Sequence, residues 1–437
     1  MLTPEDVQVQ TLGERLIESP LRLSCQPDDG IANFVPDEAR VRYQMEVLEG
    51  AECQDEIQFE KAGPRRSIYF EPARTRAAIV TCGGLCPGIN NVIRSITLQL
   101  HHLYGVQGIL GIRYGYSGLD PAVAAPPIPI TPDFVEGVHQ MGGTVLGSSR
   151  GPVDPQVALA FLEAERIQIL FCIGGDGTQR GAHRLHQEAA RRGYPLAVVG
   201  IPKTIDNDIA FVWRTFGYST ALEKSREIID SAHVEAKGAR NGISIVKLMG
   251  REAGFIAAGA TVASQEVNFT LVPEVPFEME GAAGFLNCLK QRMLARGHAV
   301  IVVAEGAGQR YLAGAPEQRD ASGNIVLKDI GPYLQHRIRE YFAAAEIPVV
   351  TRYFDPSYYI RSVPANCDDA LFCDQLGRHA VHAGMAGKTD VLMGFWYNVF
   401  VHVPISLSTS QTKRMSPESG LWGAVLAATG QPATFGD

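Results

Sequence analysis

The chain reads as an α/β protein: two Rossmann-like parallel-sheet domains preceded by an N-terminal extension. Three observations predict this. Short apolar runs without alternation recur, as expected of strands buried on both faces. Each run ends in glycine or charged residues, and several continue into apolar residues at helical spacing. At 437 residues the chain also exceeds one ordinary core, so two domains are expected.

Residues 1–75 mix acids, prolines and short apolar groups, and include the basic KAGPRRS at 61–67. They are read as an extension packed over the body, not as a catalytic unit. RAAIVTC at 76–82 is the first buried strand, GGLCPG its turn, and Ile89, Val92, Ile93, Ile96 and Leu100 the apolar face of the next helix. IQILFCIGGDGTQRGAHRLHQEAARRG at 167–193 repeats strand, turn and helix, and YPLAVVGIPK at 194–203 is the next strand. Helices joining successive buried strands imply a parallel sheet with right-handed crossovers. A second series predicts a second sheet: GISIVKLMGREAGFIAAGA at 242–260, FTLVPEVPF at 269–277, HAVIVVAEGAG at 298–308 and IPVVTRYF at 347–354. The expected division is 1–75 as extension, 76–221 with 362–437 as one domain, and 222–361 as the other.

Composition removes several function classes. A net charge of −8 argues against broad binding to nucleic acid or an anionic membrane. No apolar run reaches the ~18 residues of a membrane span, and MLTPEDVQVQ resembles no targeting leader, so a cytoplasmic address is expected. The cysteines at 25, 53, 82, 86, 172, 288, 367 and 373 lack paired C-x-x-C spacing and are read as reduced thiols. AGKT at 386–389 imitates a phosphate loop, but residue 382 is histidine where that loop needs glycine.

Ligands of open parallel sheets bind beyond the carboxyl ends of the strands. Those ends are CGGLCPG, GGDGT, PKTIDND, MGRE, AEGAG and RYFDPSYYIR. Gly83, Gly84 and Gly88 let backbone N–H groups approach a phosphate ahead of a helix N-terminus. Asp176, between glycines, suits Mg²⁺, which is held by one or two carboxylates plus substrate phosphates; a satisfied turn is the plain alternative. Successive strand ends lie side by side, so Asp176, Asp206 and Asp208 are expected to face one cleft. Phosphoryl transfer needs a metal, cations and a base. Asp206 can be the base, Asp176 the metal holder, and Lys203 and Arg251 the cations.

GGLCPGINNVIR, GGDGT, PKTIDND, MGRE, AEGAG and DPSYYIRS, in this order over residues 76–405, resemble the 6-phosphofructokinases, in particular their long-chain branch. The resemblance implies that fold, allosteric control, and phosphorylation of fructose 6-phosphate at its 1-hydroxyl by Mg-ATP in a site between two domains. By position, Asp206 is the general base, and Thr204, Ile205 and Asp208 support the sugar end. Gly84, Arg150, Gly151, Gly175, Asp176, Gly177 and Thr178 match the nucleotide side, with Asp176 the magnesium ligand. Met249, Gly250, Arg251, Glu305, Tyr358 and Arg361 match the sugar-phosphate side. Arg352 would reach in from a neighbouring subunit, which implies a homodimer or homotetramer with a shared active site. Shorter bacterial members carry arginine at the position of Gly242 and histidine at that of Tyr358; Arg240 is the candidate substitute for that arginine.

The donor turns on Gly177, where pyrophosphate-using relatives place an aspartate that would crowd the α-phosphate of ATP. Lys203 occurs in pyrophosphate enzymes and in some ATP users of this branch, so Gly177 decides for ATP. The alternatives are a pyrophosphate-dependent enzyme and a non-catalytic regulatory homologue; the second should have lost the base or the metal carboxylate. A nicotinamide dehydrogenase would need a G-x-G-x-x-G fingerprint that is absent.

Overall fold

The apolar runs become the strands of two separate sheets. The computed structural model describes residues 2–46, 56–313, 318–319 and 325–436. They form one unit of Met1–Thr204, Ile209–Gly217 and Ser362–Thr412, and a second of Ile205–Asp208, Tyr218–Arg361 and Lys413–Asp437.

The first unit is built on a nine-stranded sheet. Its middle is parallel: Val391–Trp396, Ala197–Pro202, Ile169–Gly174, Arg76–Thr81 and Gly108–Ile112 lie in that order. Ala77 to Val80 and Ile169 to Ile173 are wholly buried, which explains why these segments show no alternation. The flanks are antiparallel: Val399–Pro404, Gln58–Lys61 and Arg40–Arg42 on one side, Ile128–Pro129 on the other. A purely parallel sheet was expected; this one is mixed because two strands of the extension, the second strand of a C-terminal hairpin and Ile128–Pro129 continue it antiparallel. The extension is thus partly inside the sheet, not only over it. Its Arg65 side chain is fully buried and contacts Glu60 and Asp37, while Glu60 also binds Lys388 and His402. Lys388, the lysine of AGKT, is committed to that pair.

The second unit holds a four-stranded sheet in the order Phe269–Leu271, His298–Ala304, Gly242–Leu248, Val350–Phe354, all parallel. FTLVPEVPF supplies only three strand residues, since Pro273 follows and cannot donate to a ladder. Helices Tyr218–Gly238, Phe255–Ser264, Phe285–Arg296 and Ile330–Ala344 belong to this unit.

Two expected boundaries shift. Residues 413–437 were placed with the first domain but pack with the second unit. Gln431 hydrogen-bonds both backbone groups of Thr270, and the Phe435 ring packs tilted against Phe269 and edge-on against Phe285. Residues 205–208 and 218–221 also belong to the second unit. Among the described residues no cysteine is in a disulfide; Cys53 lies outside the described residues. Among them, too, no helix is long and apolar enough to cross a membrane.

Candidate active site

In the first unit, Gly174 pairs with Pro202 at the ends of adjacent parallel strands, so GGDGT and the start of PKTIDND leave the sheet together. Lys203 joins the turns. Its backbone N–H donates to the Gly174 carbonyl at 3.1 Å, and its buried ammonium donates to the Gly84 carbonyl at 2.8 Å. The Gly83 N–H donates to Ser149 O at 2.9 Å, and Ser148 Oγ to Gly83 O at 2.7 Å. The three turns carrying Gly84, Arg150 with Gly151, and Gly175 to Thr178 are therefore tied into one group.

Asp176 opens the helix Asp176–Arg192, where exposed N–H groups and the helix dipole favour an anion. Arg180, one turn on, places Nη1 3.4 Å from its carboxylate. Among the described residues no set of three or more His, Cys, Asp or Glu could enclose a metal. A single part-exposed carboxylate beside a phosphate turn is nevertheless the arrangement magnesium uses with nucleotides, so Asp176 fits that ion. A Cβ at Gly177 would meet nothing within 4 Å, so the space beside this turn is open.

Sequence reasoning missed two cations here. Arg180 is legible only as one turn after Asp176. Arg113 lies over the Tyr114 ring at 5.1 Å, and Tyr114, at φ +55°, accepts a place against Gly147, where a Cβ would lie 2.6 Å from that ring. Nothing in the local sequence marks Arg113, because the left-handed φ of Tyr114 exists only in the folded chain.

In the second unit, Leu248 pairs with Ala304, so MGRE and AEGAG also emerge together. Glu305 N–H donates to Leu248 O at 2.9 Å and Gly306 N–H to Gly250 O at 3.1 Å. Gly250 has φ +130°, and a Cβ there would lie 2.5 Å from the Ala253 carbonyl. Burial raises the Glu305 carboxyl above the ordinary glutamate range, against the opposing charges of Arg251, Lys247 and Arg361 and with Asp355 adding to the rise. Lys247 bridges Asp355 at 2.8 Å and Asp329 at 3.3 Å. The Arg361 guanidinium sits 4.4 Å over the Tyr358 ring, a cation–π contact that orients it.

The segment 205–208 alternates in burial: Ile205 and Asn207 are buried, while Asp206 and Asp208 are partly buried. The same unit thus carries Asp206, Asp208, Met249, Gly250, Arg251, Glu305, Tyr358 and Arg361. Thr204 precedes it on the first unit, its carbonyl accepting from Thr215 Oγ1 at 2.7 Å.

Arg352 stands apart. It lies on the edge strand Val350–Phe354 opposite Ser244, with its side chain half-exposed and 3.5 Å from Glu235. Leu248 is four residues further along the paired strand, roughly 13 Å at 3.3 Å per residue. Gly242 begins that strand, and a Cβ there would fall 2.1 Å from the Ala236 carbonyl, so this backbone admits no arginine. Arg240, exposed just before it, is at the Arg352 end of the sheet, away from Arg251.

A family model described as phosphofructokinase matches residues 76–384. The chain is 45% identical over 437 residues to the ATP-dependent 6-phosphofructokinase of Borreliella burgdorferi, covering 98% of each. It is 43% identical over 442 residues to the enzyme of that name from Amycolatopsis methanolica, covering 99% of this chain and 96% of that one. The solved pyrophosphate-dependent phosphofructokinase from Marinobacter aquaeolei superposes with a TM-score of 0.67 at 21% identity, over 83% of this chain and 93% of that one. That likeness is one of fold.

Proposed function

The chain belongs to the phosphofructokinase family, and from that premise we propose how its residues work. It phosphorylates fructose 6-phosphate to fructose 1,6-bisphosphate with ATP, a step of glycolysis. Asp206 takes the proton of the 1-hydroxyl as that oxygen attacks the γ-phosphorus. Thr204, Ile205 and Asp208 hold the reacting end of the sugar. Arg251, with Met249, Gly250, Glu305, Tyr358 and Arg361, holds the 6-phosphate end.

On the donor side, Gly84, Arg150, Gly151, Gly175, Gly177 and Thr178 receive the nucleotide through backbone N–H groups and one guanidinium. Lys203 fixes the Gly84 turn through its 2.8 Å bond while adding positive charge. Asp176 would hold Mg²⁺ against the phosphates; the ion would neutralise charge developing on the transferred group. The observation that carries the reading is that Asp206 packs in the same compact unit as Arg251, Glu305 and Arg361, so base and sugar-phosphate residues share one scaffold.

Asp206→Asn should lower kcat by roughly 10²–10⁴-fold, the usual worth of a general base, with KM for ATP nearly unchanged. Full activity would remove Asp206 from that role.

A shared site in a homodimer or homotetramer is supported by the position of Arg352, exposed on an edge strand and paired with Ser244, four residues before the end of the strand that leads to Arg251. Mixing Arg352→Ala with Asp206→Asn subunits should then restore activity that neither variant has alone; no recovery on exchange would contradict the sharing. A cytoplasmic address suits the buried free thiols Cys82, Cys86, Cys172 and Cys373.

A further inference from the structure

We propose that Lys413 is a positioning residue for the transfer: it fixes Asn207 and Asp208 so that the loop carrying Asp206 keeps one conformation. The proposal rests on the reading of Asp206 as the base. Lys413 lies some two hundred residues downstream, outside every strand end that the sequence marks as chemical. Its backbone N–H donates to the Asp208 carbonyl at 2.8 Å, and its ammonium donates to Asn207 Oδ1 at 3.0 Å. The two bonds hold the residues after Asp206 from the backbone and from the side chain at once.

Such an anchor bears directly on the backbone of Asn207. Its φ is +55°, in the left-handed region that asparagine tolerates better than most residues but does not prefer. A flip at Asn207 would reorient the carboxylates on either side, because they share its backbone.

The ammonium is held in largely apolar surroundings. It lies 5.2 Å over the Phe255 ring, and withdrawal from water lowers its pKa to about 7, partly offset by the charge of Asp208. A cation held in such surroundings is costly unless its contacts compensate.

The next two residues extend the tie. Arg414 pairs with Glu252, and Met415 N–H donates to Glu274 Oε1 at 2.9 Å. Glu274 in turn accepts from Gly254 N–H at 2.9 Å. Residues 413–415 therefore bind first the base loop and then the turn that follows Arg251. One short stretch of chain sets the base loop relative to the sugar-phosphate arginine.

The test is steady-state kinetics on Lys413→Met, which keeps the length and removes the ammonium, with Lys413→Arg and Asn207→Ala beside it. Lys413→Met should lower kcat about 10- to 100-fold, the scale of a misplaced reacting group, while KM for ATP stays within about twofold. Lys413→Arg should regain part of the loss, and Asn207→Ala should reproduce it. In an Asp206→Asn background Lys413→Met should cost nothing further, because residues acting through one group are not additive. An unchanged kcat in Lys413→Met, or an equal loss with and without Asp206, would overturn the proposal. Should Lys413→Met fail to fold, Asn207→Ala with normal kcat would overturn it as well. Full activity of Asp206→Asn alone would overturn the base assignment and this proposal with it; an inactive Asp206→Asn beside a normal Lys413→Met would overturn this proposal only.

Discussion

The strand ends of the two units are built from different materials. In the first, the candidate groups are largely backbone: the turns at Gly83, Gly151 and Gly175 are cross-linked through carbonyls and N–H groups, with Asp176, Lys203, Arg150 and Arg180 the charges at or beside them. In the second, charged side chains dominate. Arg251, Lys247, Asp355 and Arg361 all lie close enough to act on the Glu305 carboxyl. The difference follows from the ligands proposed for each. A polyphosphate spreads its charge along a chain that many N–H dipoles and a metal can follow. A sugar monoester concentrates it at one end, where directional guanidinium contacts are worth more.

The contrast is broken most severely by giving the backbone-built side a charge it lacks. Gly177→Asp should lower kcat/KM for ATP by roughly 10²–10³-fold, the cost of an unpaired carboxylate beside a phosphate. Since a Cβ at 177 meets nothing within 4 Å, the melting temperature should hardly move. Retained ATP activity would refute the role given to Gly177 in choosing the donor.

A smaller effect tests the cation-built side. Gly242 cannot bear a side chain, so if Arg240 serves in its place, Arg240→Ala should raise KM for fructose 6-phosphate by roughly tenfold, about the worth of one charge-assisted hydrogen bond at 1.4 kcal/mol. KM for ATP should not change. An unaltered KM for the sugar phosphate would leave Arg240 without that task.

The smallest kinetic effect is expected at a polar cluster of the first unit that lies off the phosphate turns. Burial holds His382 and His402 below the ordinary histidine range, and His379 at about 4. The unfolded chain, with histidines near 6.5, therefore binds more protons as pH falls below that value. Stability should drop with acidification at up to roughly 1.4 kcal/mol per pH unit for each histidine. The His379 share should be complete near pH 4. Glu60, held below the ordinary glutamate range by His402 and Lys388 against the cost of burial, adds a further loss at lower pH. Urea unfolding of His379→Gln should show a shallower slope between about pH 7 and pH 5 than the parent, with kcat at neutral pH unchanged. A parallel slope would exclude His379 as a contributor.

Much of the frame was legible because burial on both faces leaves a plain record. Arg76–Thr81, Ile169–Gly174, Ala197–Pro202, Gly242–Leu248 and His298–Ala304 all stand where continuous apolar runs predicted them. Gly108–Ile112 was missed, since GILGI is short and holds two glycines. The hairpin Val391–Trp396 and Val399–Pro404 was missed because no chemical motif drew attention to it. The antiparallel strands of the extension were missed for another reason: their side chains alternate or are exposed, and pairing with Val399–Pro404 is a property of distant backbone.

The sequence by itself determined the family, the reaction and the identity of the charged and glycine residues at the strand ends, because those residue types answer to local chemistry. Tertiary structure alone decided which of them share a scaffold. PKTIDND is continuous in the chain, yet Lys203 ties the glycine turns of one unit while Asp206 and Asp208 pack with the other. Gly242 excludes a side chain only because Ala236 lies against it. Lys413 acquires its contacts to Asn207 and Asp208 only when the C-terminal segment returns to them. Long-range contacts of this kind depend on the path of the backbone, and no local pattern of residues encodes them.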